Sequence, residues 1–116
     1  MLEWLIGKKR ENIAPKVPAT IDPDEVKELL ADHEKIIILD VRHQHEYRSG
    51  HIKGAQHIPL VELNKRIHEL RKDAPIITVC HSGRRSAQAA RLLRTEGFTV
   101  RNMSGGMMRW SGKVVR

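Results

Sequence analysis

Apolar positions along this chain follow two alternating rhythms. "KIIILDV" (35–41) and "PIITVC" (75–80) are unbroken, largely β-branched runs. Both are too short for helices and lack the polar alternation of a half-wet sheet, so each predicts a strand buried on both faces, as in parallel sheets. "AQHI" (55–58), closed by Pro59, and "FTVRNM" (98–103) predict two more strands. Between the strands the apolar spacing changes to three and four. Val26, Leu29 and Leu30 form a stripe behind Asp22 as cap, Pro23 at the first helical position and Glu25 as capping-box partner. Leu63, Ile67 and Leu70 share one face of "VELNKRIHELRK". "HQHEYRSG" reads as a helical turn closed by Gly50, residues 86–96 as a helix stopped by Gly97, and "GGMMRW" as a final turn. Strands alternating with helices predict an α/β fold whose parallel sheet is covered on both faces.

The 116 residues suffice for one compact core and not for two. Residues 1–18 read as an N-terminal arm, flexible or loosely docked, ahead of a single domain over residues 19–116. No apolar run approaches the roughly 18–20 residues of a membrane span. The opening "MLEWLIGKKR" carries Glu3 and no small-residue cleavage site, so it is a poor signal peptide. Membrane contact through Leu2, Trp4, Leu5 and Ile6 of the arm is the lesser reading. The single cysteine cannot form an internal disulfide, which makes a reduced, cytoplasmic setting the expectation.

Charge sharpens this picture. Residues 1–60 hold nine Lys/Arg against ten Asp/Glu, and residues 61–116 hold twelve against four, so the halves carry −1 and +8. A basic half attracts anions, whether nucleic acid, lipid or small molecules, or is simply a solvated surface. Nucleic acid is not expected as a partner, because Trp4, Tyr47, Phe98 and Trp110 are scattered and offer no stacking platform.

The basic half contains Cys80, at the carboxyl end of the "IITV" run. In open α/β sheets ligands bind beyond that edge. The amides of residues 81–86 can curl around the sulfur with a helix N-terminus aimed at it, and both effects favour an anion. Arg84, Arg85 and a protonated His81 would act in the same direction, lowering the thiol pKa below the roughly 8.5 of a free cysteine. Gly83 permits the tight turn. A lone cysteine is usually a small apolar core residue; the neighbouring Gly and Arg pair favour a nucleophile here. A tyrosine-phosphatase loop places its arginine six positions after the cysteine. Here that position is Ser86, and Arg85 closes a loop one residue shorter, which suits a single sulfur better than a phosphoryl group.

With these residues in view, the chain resembles a single-domain rhodanese, a sulfurtransferase. "CHSGRRS" (80–86) resembles the family's active-site loop, "LDVRHQHEYRSGHIKGAQHIP" (39–59) its upstream block, and "MSGGMMRW" (103–110) its C-terminal Gly-Gly…Trp turn. The resemblance covers residues 20–112. It implies a three-layer α/β/α fold with a central, mainly parallel sheet of about five short strands. It also implies that Cys80 takes sulfane sulfur from a small anionic donor such as thiosulfate as a persulfide. An external acceptor, cyanide or a cellular thiol, with a protein sulfur acceptor as a further option, would then remove it. His81, Ser82, Gly83, Arg84, Arg85 and Ser86 would form the substrate-binding loop, and no cofactor is implied. Some relatives carry Arg where this chain has His81. A histidine is cationic only near or below about pH 6.5, which implies weaker attraction for an anionic donor at neutral pH. The alternatives are a sulfur-carrier or binding module with slow turnover and, against the short loop, a phosphatase or arsenate reductase on the same fold.

The remaining candidates have plainer readings. Asp40 and Arg42 share the sheet edge with Cys80. They either line the pocket or form an ion pair, with Glu46 as a further partner, that braces the following turn. His51 in "GHI" reads as a turn-stabilising hydrogen-bonder. His43 and His45 lie two apart, but nothing completes a ligand set and no metal is expected. Arg91 and Arg94 suit a helix C-terminus, and Met103, Met107 and Met108 suit core or pocket rim.

Overall fold

A computed structural model describes residues 17–116, and the arm reading falls almost wholly outside them. Five parallel strands form one sheet: β1 (Thr20–Ile21), β2 (Ile37–Asp40), β3 (Gln56–His57), β4 (Ile76–Val79) and β5 (Val100–Met103). Their order across the sheet is β1-β5-β4-β2-β3. The helices are α1 (Pro23–Ala31), α2 (Gln44–Ser49), α3 (Leu60–Arg66) and α4 (Arg84–Thr95), with 3₁₀ turns at Ile67–Glu69 and Gly106–Arg109. No described helix is long and apolar enough to cross a membrane.

The β-branched runs form the centre of the sheet because both of their faces are covered. Along β2, Ile37 and Leu39 belong to the core beneath α3 and α4, whereas Ile38 points to the core beneath α1. Along β4, Ile76 joins the first core, and Ile77 and Val79 join the second. The period-two alternation of side chains thus feeds two apolar layers, one on each side of the sheet. Leu63, Ala89, Ala90 and Leu93 seal one side, and Val26 and Leu29 the other.

At the N-terminus of α1, Asp22 caps as expected, with its Oδ1 accepting from the Asp24 N–H at 2.9 Å, and Pro23 opens the helix. Glu25 does not close a capping box. Its carboxylate lies 3.8 Å from Arg101 on β5. The helical reading of "VELNKRIHELRK" is corrected at its end, since α3 tightens into a 3₁₀ turn at Ile67. β1 is an additional strand whose Thr20 and Ile21 pair with Asn102 and Met103.

Topology places the site. From β2 the chain moves to β3, towards one edge of the sheet, and from β4 to β5, towards the other edge. The carboxyl ends of adjacent β2 and β4 therefore frame a crevice at the switch in strand order, where α/β proteins bind ligands. Cys80 is the first residue beyond β4 at that crevice.

Candidate active site

Cys80 is fully buried, and three donors converge on its sulfur. The Gly83 N–H lies 3.1 Å from Sγ, the Ser86 N–H 3.3 Å and the Ser86 hydroxyl 3.2 Å. Their source is the start of α4. The sequence places that start at Ser86, but the helix begins two residues earlier, at Arg84, with Gly83 as its cap in the left-handed region (φ 101°). Ser86 is thus in the first helical turn, where amides have no intrahelical partner and point at whatever lies in front. Burial pushes the Cys80 thiol up. The Ser86 hydroxyl and the amides of Ser86, Gly83 and Ser82 outweigh that, so its pKa falls below the ordinary cysteine value. Hydrogen bonds to the charged form do this work, and no arginine donates to the sulfur.

Arg85 faces elsewhere. Its Nη1 and Nη2 donate to the two Glu46 oxygens at 2.8 and 2.9 Å, a bidentate pair tying α4 to α2. The Arg85 guanidinium holds Glu46 at about 2, against an ordinary 4.5. Arg85 is in turn stabilised as a cation, first by Glu46 and to a lesser degree by nearby Cys80. His81, Ser82 and Arg84 are exposed at the mouth of the loop. The Arg84 side chain has no ion-pair or hydrogen-bond partner among the described residues.

Asp40 and Arg42 are both buried and bind each other. Arg42 Nε and Nη2 reach the Asp40 carboxylate at 3.0 and 2.7 Å, the Arg42 amide adds a third bond at 3.1 Å, and Nη2 also donates to the Gly50 carbonyl at 2.9 Å. This ties the end of β2 to the end of α2. Glu46 is Arg85's partner, not Arg42's. Beside it, the Tyr47 ring is sandwiched between His51 (centroids 3.7 Å apart) and His57 (4.2 Å). His51 Nδ1 donates to the Tyr47 carbonyl at 2.8 Å, and His57 Nε2 to the Arg42 carbonyl at 2.8 Å. His43 and His45 stack on each other, and among the described residues no three His, Cys, Asp or Glu are placed to hold a metal. Arg94 donates to the Ala19 carbonyl, bracing the entry to β1. Met103 is buried and Met108 is 65% exposed.

Some contributors are not evident from motif reading. Thr78 in β4 donates to the Ser86 carbonyl at 2.9 Å, and Asn102 in β5 donates to the Gly83 carbonyl at 3.0 Å. Together they anchor the cradle from below. For Thr78 the signal in the sequence is a polar residue inside an otherwise apolar buried strand, and for Asn102 a polar residue in a strand buried along its length; each demands a partner. The third contributor is Gly106. A Cβ there would come within 2.5 Å of the Cys80 carbonyl oxygen. That close approach lets the Met107 and Met108 amides bond the Cys80 and His81 carbonyls at 2.7 and 3.0 Å.

Comparison with known proteins agrees with this architecture. The family model of the rhodanese-like domain matches residues 22–113. The chain is 42% identical over 109 residues to YrkF of Bacillus subtilis, a protein provisionally named a sulfur carrier, covering 93% of this chain and 58% of that protein. It is 39% identical over 75 residues to the thiosulfate sulfurtransferase GlpE of Pseudomonas fluorescens, covering 64% of this chain and 69% of the relative. Among solved structures, a rhodanese-like domain protein from Staphylococcus aureus superposes with a TM-score of 0.76 at 32% identity, covering 81% of this chain and 91% of that one. On its sheet order, its cysteine loop and this match across most of its length, the chain belongs to the rhodanese-like domain family.

Proposed function

We propose that this protein is a sulfurtransferase that carries sulfane sulfur on Cys80. The observation that carries the reading is the convergence of the Gly83 amide, the Ser86 amide and the Ser86 hydroxyl on one sulfur at the sheet's switch point. Such a cradle favours an anion of sulfur size, either the thiolate or the persulfide that replaces it. The Cys80 thiolate attacks the outer sulfur of thiosulfate. A Sγ–S bond forms, the donor's S–S bond breaks, and sulfite leaves with the electron pair. An acceptor thiolate or cyanide then attacks the outer sulfur of the persulfide, and Cys80 returns as thiolate. Neither step needs an oxidant or a cofactor. With one cysteine in these 116 residues, no disulfide among them can discharge the persulfide, so the acceptor comes from outside them. A chemistry that depends on a free thiolate belongs where thiols stay reduced, which favours the cytoplasm.

A slower role as sulfur carrier is the second reading, supported by the name of YrkF and by the burial of Cys80 beneath its loop. Intact mass spectrometry after incubation with thiosulfate tests the common step. One added sulfur is expected on the wild type and none on Cys80→Ala; no adduct with thiosulfate or any persulfide donor would overturn both readings. Steady-state turnover with cyanide then separates them.

A further inference from the structure

A cavity lies on the sheet face opposite the core that contains Cys80. The second half of α1, the turn after α2 and the C-terminal segment border an open hollow of about 390 Å³, within the roughly 300–1,000 Å³ of small-molecule sites. Its walls are apolar: Leu30, Ile52 and Trp110 line it and pack on the core beneath α1. The indole N–H is already used, donating to the Lys113 carbonyl at 3.2 Å. Gly112 lets the chain lie flat on the ring, since a Cβ there would come within 2.4 Å of Trp110 Cζ2.

The rim has one sign of charge. Lys27, Lys53 and Lys113 border the cavity and are all exposed. Lys27 Nζ donates to the Ser111 hydroxyl at 3.3 Å, and none of the three has an ion-pair partner among the described residues. No carboxylate lines the cavity, although α1 carries Asp24, Glu25 and Glu28. Three ammonium groups around one apolar hollow repel one another and attract an anion whose remainder is apolar.

We propose that this cavity binds a small amphipathic organic anion, with its apolar body against Trp110, Leu30 and Ile52 and its acidic head among the three lysines. The site is separate from the sulfur-transfer centre, because none of residues 80–86 lines it. The inference therefore does not rest on the reading of Cys80.

Anilinonaphthalene sulfonate, which is flat, apolar and anionic, is the probe, titrated into the full chain by fluorescence and displaced with straight-chain carboxylates. Saturable one-to-one binding is expected. Displacement by octanoate should be tighter than by hexanoate by about fourfold per methylene, and octanol and acetate should not displace. Lys53→Glu/Lys113→Glu should weaken binding about tenfold at unchanged Tm. The charge-matched Lys65→Glu/Arg91→Glu, on the opposite side of the sheet, and Cys80→Ser should leave it intact. Non-saturable binding, equal displacement by octanol, or equal loss in both charge-reversal variants would overturn the proposal. So would a Lys53/Lys113 effect seen only with anionic phosphatidylglycerol vesicles and not with soluble carboxylates.

Discussion

Ser86 serves Cys80 twice, through its amide and its hydroxyl. Donors to a thiolate stabilise the charged form, and removing one raises the pKa of the group it served. Alkylation of the wild-type thiol, followed against pH, should titrate below the roughly 8.5 of a free cysteine. Ser86→Ala should move the midpoint to higher pH and slow persulfide formation at neutral pH severalfold. An unmoved midpoint would mean that the hydroxyl is a bystander. Cys80 and its loop are legible in the sequence because the cue is local: a lone cysteine at a strand end, then Gly83, Arg84 and Arg85. The tasks of the two arginines are not legible. Nothing near position 85 reports that Glu46, almost forty residues earlier, would claim its guanidinium.

At the scale of elements, the Glu46–Arg85 pair straps α2 to α4 across the mouth of the crevice. Glu46 titrates at about 2 in the fold against an ordinary 4.5. A depressed carboxylate contributes stability above its unfolded pKa and loses it as pH falls through the folded one. Urea unfolding between pH 4.5 and 2 should therefore cost the wild type about 1–2 kcal/mol more than Glu46→Gln. Parallel pH profiles would show that the strap carries no stability. The cradle also depends on a close approach between loops. Gly106→Ala drives a Cβ into the Cys80 carbonyl, whereas a Cβ at Gly54, also at positive φ, meets nothing within 4 Å. Both should lose the roughly 1 kcal/mol of a left-handed alanine. Only Gly106→Ala should lose substantially more and lower the rate of Cys80 persulfide formation; equal thermal shifts would refute the contact. The strands β2 and β4 are readable because their apolar runs are longer than any alternation would allow. β1 is not, because two residues acquire strand geometry only from their partners on β5. The start of α4 is misread by two residues because no capping side chain announces it. Gly83 supplies the turn through its backbone alone.

Over the whole molecule, the charge asymmetry of the sequence acquires a location. The +8 half supplies Arg84 at the loop mouth and Arg109 on the turn packed against it, while Arg85 is neutralised by Glu46. Arg109 stands 4.0 Å from Asp22, a loose and exposed contact. Arg84 is therefore the cation best placed to draw a small anionic donor towards a buried sulfur. Attraction of this kind is long-range and screened, with a Debye length of about 10 Å at 0.1 M salt. It acts on encounter more than on chemistry. The second-order rate of persulfide formation from thiosulfate should fall as ionic strength rises, and Arg84→Gln should lower it about threefold at low salt. The same substitution should flatten the salt dependence and leave the alkylation midpoint of Cys80 in place, because Arg84 does not donate to Sγ. A salt dependence identical in wild type and Arg84→Gln would assign the steering to the basic half as a whole. A shifted midpoint would instead make Arg84 part of the cradle.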